Sequence, residues 1–305
     1  MKHVLNIAWL TALVVVMASV PAVAQDRPAF KEEVLKQEKI YQTPGENIPS
    51  GYVIDRSLLA YKATLFSGFD HELAALRPGD RWLDVGAGRG QAVLDYYTPR
   101  YDAMNREGQE QRGKKAQAVA MSIEDRRTPL WQQTAERLEA NQIQYWHGRR
   151  MREYAPAELG KFRLVTDVFG GFSYTRDLSL FMEKTLAALE INGSFFTALV
   201  DVLPDQGAQQ SGRGNAPFLT AIAKADGSTT KVCSWLKEIT CVAVSCAVQS
   251  KLETVIEVYR VKKVCDNVTV PALSLLHYEA GTPPARRFQF GNLSMLTPDR
   301  SGAPQ

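Results

Sequence analysis

The sequence predicts an α/β fold: a mainly parallel sheet flanked by helices and finished by an antiparallel hairpin. Three observations predict it. The run Arg81-Trp82-Leu83-Asp84-Val85 ends in the alternating glycines Gly86, Gly88 and Gly90, after which Gln91 to Tyr97 has helical character. Runs of strand length then alternate with helical ones as far as Val200, the pattern of right-handed βαβ units. Beyond them, two long β-rich runs, Thr240–Gln249 and Glu253–Lys263, read as a hairpin.

With 305 residues the chain has the length for one large domain and flanking segments, and 45% hydrophobic with 23% charged residues suits a globular core. A formal net charge of +3 implies no strongly basic face, so nucleic acid is not an expected partner. Lys2 and His3 precede an uncharged stretch, Val4 to Gln25, with an apolar centre from Ile7 to Val20. Pro21 interrupts it and Ala22-Val23-Ala24 supplies small residues for cleavage, the anatomy of a secretory signal peptide over residues 1–24. Export to a periplasm or the medium is the expectation, with no membrane contact after cleavage. The alternative is an uncleaved anchor over residues 4–24, since about 20 apolar residues span a bilayer.

Residues 25–57 read as a lead-in, with a helical patch from Phe30 to Tyr41 and a turn-rich stretch from Thr43 to Gly51. A helix is predicted over Ile54–Phe69, with Leu58, Leu59, Lys62 and Leu65 at helical spacing. Arg77-Pro78-Gly79-Asp80 is a turn and Arg81–Val85 the first strand, whose helix ends near Thr98-Pro99. The polar stretch from Arg100 to Gln117 reads as a solvated insertion or a helix extension. Ala118–Ile123 is the second strand, Thr128–Ala140 the second helix, Ile143–His147 the third strand and Phe162–Phe169 the fourth, broken by Gly170-Gly171. Asp177 caps a helix over Leu178–Leu189 closed by Asn192-Gly193, and Ser194–Val200 is the fifth strand. A loop over residues 205–215, a helix over Phe218–Lys224 and the hairpin follow.

All four cysteines, Cys233, Cys241, Cys246 and Cys265, fall in one segment. They read either as disulfides formed in an oxidising compartment or as buried thiols. Their spacing is not that of a zinc site, and no metal is expected. With a hairpin turn near Ser250–Leu252, Cys241 faces Arg260, Cys246 faces Val255, and Cys233 with Cys265 comes nearest to bridging at the open end.

Leu83-Asp84-Val85-Gly86-Ala87-Gly88-Arg89-Gly90 resembles motif I of the class I S-adenosylmethionine-dependent methyltransferases, L-D-x-G-x-G-x-G. A dinucleotide fingerprint has the different spacing G-x-G-x-x-G. The chemistry suits glycine, which turns at φ > 0 and holds no Cβ against a ligand, and the helix start beyond offers N–H donors. The resemblance implies a Rossmann-like methyltransferase fold over residues 58–290, with sheet order 3-2-1-4-5-7-6, a terminal antiparallel hairpin and helices on both faces. Residues 291–305 are expected to be a flexible tail. It implies S-adenosylmethionine as cofactor, held at Asp84, Gly86, Ala87, Gly88 and Gly90, and methyl transfer to an unidentified acceptor, a small molecule rather than a protein. The alternative is a binding protein that keeps the fold without turnover.

The family pattern is incomplete. An acid at the end of the second strand usually takes the ribose hydroxyls; Ser122 stands there, with Glu124 as the substitute two residues on. After the third strand the family often has an acid near the adenine, where this chain reads His147-Gly148-Arg149-Arg150 and has no acid before Glu153. Asp167, at the end of the fourth strand, occupies a position that in the family serves cofactor or acceptor, beside Phe169, Phe172 and Tyr174. Asp167 and His147 are the catalytic candidates, though His147 reads first as a strand-end histidine with a structural bond. Tyr52 or Tyr61 could line the cofactor, and His277 and the Arg286-Arg287 pair receive no role.

Overall fold

The computed structural model describes residues 56–97, 116–202, 219–224, 226–251, 254–279 and 284–291. The expected signal segment, lead-in helix, Tyr52, the insertion up to residue 115, the 205–215 loop and the tail after 291 lie outside them. The chain has the fold that the resemblance implies. Its main sheet has seven strands, built from β1 (Arg81–Val85), β2 (Gln117–Met121), β3 (Ile143–Trp146), β4 (Phe162–Val168), β5 (Leu189–Val202), β8 (Val242–Lys251) and β9 (Thr254–Lys263). Their order is β3-β2-β1-β4-β5-β9-β8, the expected one once the hairpin takes the last two places. β1 to β5 are parallel, and β9 runs antiparallel to both β5 and β8.

Two-residue alternation along the strands divides the core between the sheet's faces. Trp82, Ala118, Leu164, Phe196 and Val258 share one face. Against it pack α1 (Leu58–Thr64), α2 (Ser67–Ala74), α3 (Gln91–Tyr96) and Trp131 of α4 (Pro129–Arg137). Leu83, Val119, Val165, Phe195 and Val261 face the other way. They pack with α5 (Pro156–Leu159), α7 (Leu178–Ala188) and α8 (Val232–Leu236), and with Phe172 of the short α6 (Gly171–Tyr174).

The single helix expected over 54–69 is two. Leu65 is extended, at φ −84° and ψ 170°, which ends α1; both Leu65 and Phe69 are thereby fully buried. The helix expected over Phe218–Lys224 is a correction: Thr220–Ala223 is strand β6. Its alanines gave it helical character, but it pairs in parallel with β11 (Ala285–Phe290), Thr220 opposite Arg286, and tertiary pairing overrides a weak local preference. With β7 (Thr229–Thr230) and β10 (Leu273–Glu279) these strands form a second sheet in the order β10-β11-β6-β7, an addition to the fold expected from the sequence.

The hairpin exists with a different register. Pairing continues to Lys251 opposite Thr254, so Cys246 faces Tyr259 rather than Val255. The expected Cys233–Cys265 bridge is replaced by two others, Cys233–Cys246 and Cys241–Cys265, with Cα separations of 6.2 and 5.0 Å. Cys233 sits on α8, which packs against β8, and this carries it to Cys246. Cys241 and Cys265 flank the hairpin's open end, where the Val264 N–H donates to the Cys241 carbonyl at 2.8 Å.

Candidate functional site

The strand order reverses between β1 and β4, and ligands of open α/β sheets bind in the crevice outside the carboxyl ends at such a point. The glycine turn sits there. Gly86, Gly88 and Gly90 have φ of 72°, 59° and 76°, all left-handed. Gly86 is exposed between buried Val85 and Ala87, so bare backbone opens on the crevice. A Cβ on Gly86 would lie 2.6 Å from Gly170 Cα, so the turns after β1 and β4 meet backbone to backbone. A Cβ on Gly90 would enter the Trp131 ring, so this glycine serves helix packing. The amides of Ala87 and Gly90 are engaged within the protein, on the carbonyls of Met121 (3.0 Å) and Ala87 (2.8 Å).

Asp84 does not face the crevice. It is fully buried, accepting from Thr166 Oγ1 at 2.7 Å and from the Tyr61 hydroxyl at 3.0 and 3.1 Å. Thr166 Oγ1 in turn accepts from Trp82 Nε1 at 2.8 Å. Burial pushes the Asp84 carboxyl up to about 7, against the pull of these donors. Burial beside that carboxylate likewise raises the Tyr61 phenol well above its ordinary value. Tyr61, a candidate cofactor contact, is thus a support under the turn.

At the end of β2, Ser122 is half-buried and its N–H donates to the Trp146 carbonyl at 2.9 Å. Glu124 is exposed and paired with Arg126 at 2.6 Å. Asp125 is paired with Arg127, whose hydrogen bonds hold its carboxyl down at about 2. His147 lies at the same rim with its side chain 41% exposed, Nε2 3.6 Å from Asp125. Tyr145, unnoticed in the sequence, donates its hydroxyl to the Gly88 carbonyl and, at 3.3 Å, to that of Glu124, joining the rim of β2 to the turn.

Asp167 is buried with both oxygens on the loop after β4, accepting from the Gly170 N–H and the Phe172 N–H at 2.9 Å each. Burial raises its carboxyl to about 7, opposed by these amides and by Arg286. Phe169, at φ 55°, is a strained non-glycine residue at the strand's end, with the Arg56 guanidinium 4.6 Å from its ring centre. Arg286 of β11, fully buried, donates through Nη1 to the carbonyls of Phe172 and Thr175, both at 2.9 Å. Its Nε and Nη2 donate to Thr220 Oγ1 at 3.2 and 3.0 Å. Burial pulls this guanidinium down to about 10. Nothing in the sequence marked Arg286, because its partners are 66 to 114 residues away. His277 and Arg287 lie on the second sheet as well.

Among the described residues no group of three or more His, Cys, Asp or Glu side chains is arranged to hold a metal, and no helix is long and apolar enough to cross a membrane.

No protein-family model matches the sequence, and no curated protein matches it. Solved structures similar to the chain include several described as methyltransferases. One is a putative O-methyltransferase from Klebsiella pneumoniae, 10% identical, with TM-score 0.41 and coverage of 81% of this chain and 93% of that one. Another is the O-methyltransferase from Bacillus cereus in complex with SAH, 11% identical, with TM-score 0.39 and the same 81% and 93% coverage. A third is an rRNA methylase from Streptococcus thermophilus, 11% identical, with TM-score 0.37, covering 70% of this chain and 100% of that one. At such scores the fold rests on the strand order and register above.

Proposed function

We propose that the chain binds S-adenosylmethionine beyond the carboxyl ends of β1, β2 and β4 and directs its methyl group to a small-molecule acceptor. One observation carries this reading: three left-handed glycines, the first with exposed backbone, at the carboxyl end of β1 where the strand order reverses. The residues fit the cofactor in part. The exposed backbone of Gly86 can approach it, and Ser122 or exposed Glu124 at the rim of β2 suits the ribose hydroxyls. After β3, Arg149 stands where an acid is usual and is paired with Glu158 at 3.0 Å.

The cofactor supplies an already activated methyl group, so the protein's task is mainly to align donor and acceptor. Asp84, Tyr61 and Thr166 hold the turn from below; Asp167 and Arg286 hold the loop beside it. Both oxygens of Asp167 accept loop amides, which makes it a positioning residue in this reading. That same commitment favours the second reading, a protein that binds the cofactor without turnover. The two disulfides support maturation in an oxidising compartment and hence export.

Calorimetric titration of the mature chain with S-adenosylmethionine, its demethylated product and NAD tests the assignment. The first two should bind with micromolar Kd, about 8 kcal/mol, and Gly88→Val should abolish this while circular dichroism stays native. No heat at millimolar ligand would remove the cofactor. Binding without transfer of a labelled methyl group to any fraction of a small-molecule extract would select the second reading.

A further inference from the structure

We infer that Arg286, from the second sheet, is a positioning residue for the crevice: by fixing the Gly170–Thr175 turn it sets the backbone of the glycine turn at Gly86. The inference deepens the reading of that crevice as a ligand site, but its first test does not depend on a ligand.

Two buried ionisable groups grip the Gly170–Thr175 turn, one at its N–H groups and one at its carbonyls. Asp167 takes its N–H groups at Gly170 and Phe172, and Arg286 takes its carbonyls at Phe172 and Thr175. The peptide groups around Phe172 are held on both edges. The guanidinium is itself held by Thr220 on the neighbouring strand, so its plane is fixed by the second sheet. The next link carries no side chain. Gly170 lies against Gly86 so closely that a Cβ on Gly170 would be 2.7 Å from the Val85 carbonyl oxygen and 3.1 Å from Gly86 Cα. A displacement of Gly170 toward β1 is therefore passed directly to the glycine turn, with no flexible side chain to absorb it. A mere staple between two sheets has no need of a buried guanidinium, because an apolar residue of similar volume often serves stability as well.

The test is native-state hydrogen exchange of Arg286→Met and Arg286→Lys against the wild type. In the Met variant, exchange should rise about tenfold or more at residues 86–90 together with 170–175, and Lys should recover part of it. Faster exchange confined to 170–175, or none, would overturn the inference and leave Arg286 a staple. If the Met variant does not fold, Thr220→Val takes its place; it keeps the guanidinium but removes its anchor, and the same two outcomes decide. In parallel, the demethylated cofactor product is titrated well below each variant's melting temperature. Its Kd should weaken about tenfold in the Met variant, whereas a staple would lower Tm and leave Kd unchanged. A wild type that binds nothing would refute the cofactor reading, and the exchange data would still decide the role of Arg286.

Discussion

The Tyr61 hydroxyl donates to both carboxylate oxygens of Asp84, at 3.0 and 3.1 Å, in a site where Asp84 is wholly shielded from solvent. A buried phenol and a buried acid thus share the ground under the glycine turn, with Asp167 close enough for its charge to raise the Asp84 carboxyl further.

This arrangement fixes the sign of a pH dependence. The carboxyls of Asp84 and Asp167 are raised from 3.8 to about 7 in the folded chain. Between those values the native state holds protons that the unfolded chain has released, so their contribution is full below about 4 and lost as pH rises through about 7. The urea midpoint should therefore fall from pH 5 to pH 8, and fall less in Asp84→Asn. An equal slope in the variant would place the titration elsewhere.

Thr166→Val should destabilise the chain by roughly 2–4 kcal/mol, because it leaves the Trp82 Nε1–H and one Asp84 lone pair without partners in the core. Denaturant unfolding measures this, and a cost below about 1 kcal/mol would mean that water enters the site.

Gly90→Ala should cost about 3 kcal/mol, from a left-handed φ of 76° and a methyl group driven into Trp131. Trp131→Leu in the same chain should relieve the steric part, so a double-mutant cycle should show a coupling of about 1 kcal/mol. Strict additivity would place the ring elsewhere.

Mass mapping of the unreduced chain should find Cys233 joined to Cys246 and Cys241 to Cys265. The loops closed span 13 and 24 residues, so losing either bridge should cost about 3 kcal/mol. A Cys233–Cys265 peptide would restore the register expected from the sequence.

N-terminal sequencing tests the export proposal: the mature chain should begin at Gln25. Residues 1–24 intact on membrane-bound protein would instead establish an anchor.

What was legible in the sequence was local. The apolar run of β1, the left-handed glycines and the Asp177 cap, whose side chain accepts from Leu180, each depend on a few adjacent residues. Illegible were features made by distant partners. Thr220–Ala223 is a strand because β11 and β7 pair on its two edges. Cys241 meets Cys265 because the hairpin turns later than composition suggested, and shifting a register moves every facing residue, whereas Cys246 meets Cys233 because α8 packs on β8. At the candidate site, the position of Asp84 was legible but not its partners, since Thr166 lies 82 residues on.

The grip of Arg286 on Phe172 spans 114 residues, which also dates its formation. Closing so long a loop costs entropy before the contact repays it, so such contacts come late in folding. On a ribosome, β1 through β5 and the hairpin are all made before Arg286 emerges. The Gly170–Thr175 turn is then the last part of the crevice to be set, and pulse-labelled exchange during refolding should protect it after β1 and β2. A chain cut short after β10 would carry every glycine of the turn and still leave its neighbour unplaced.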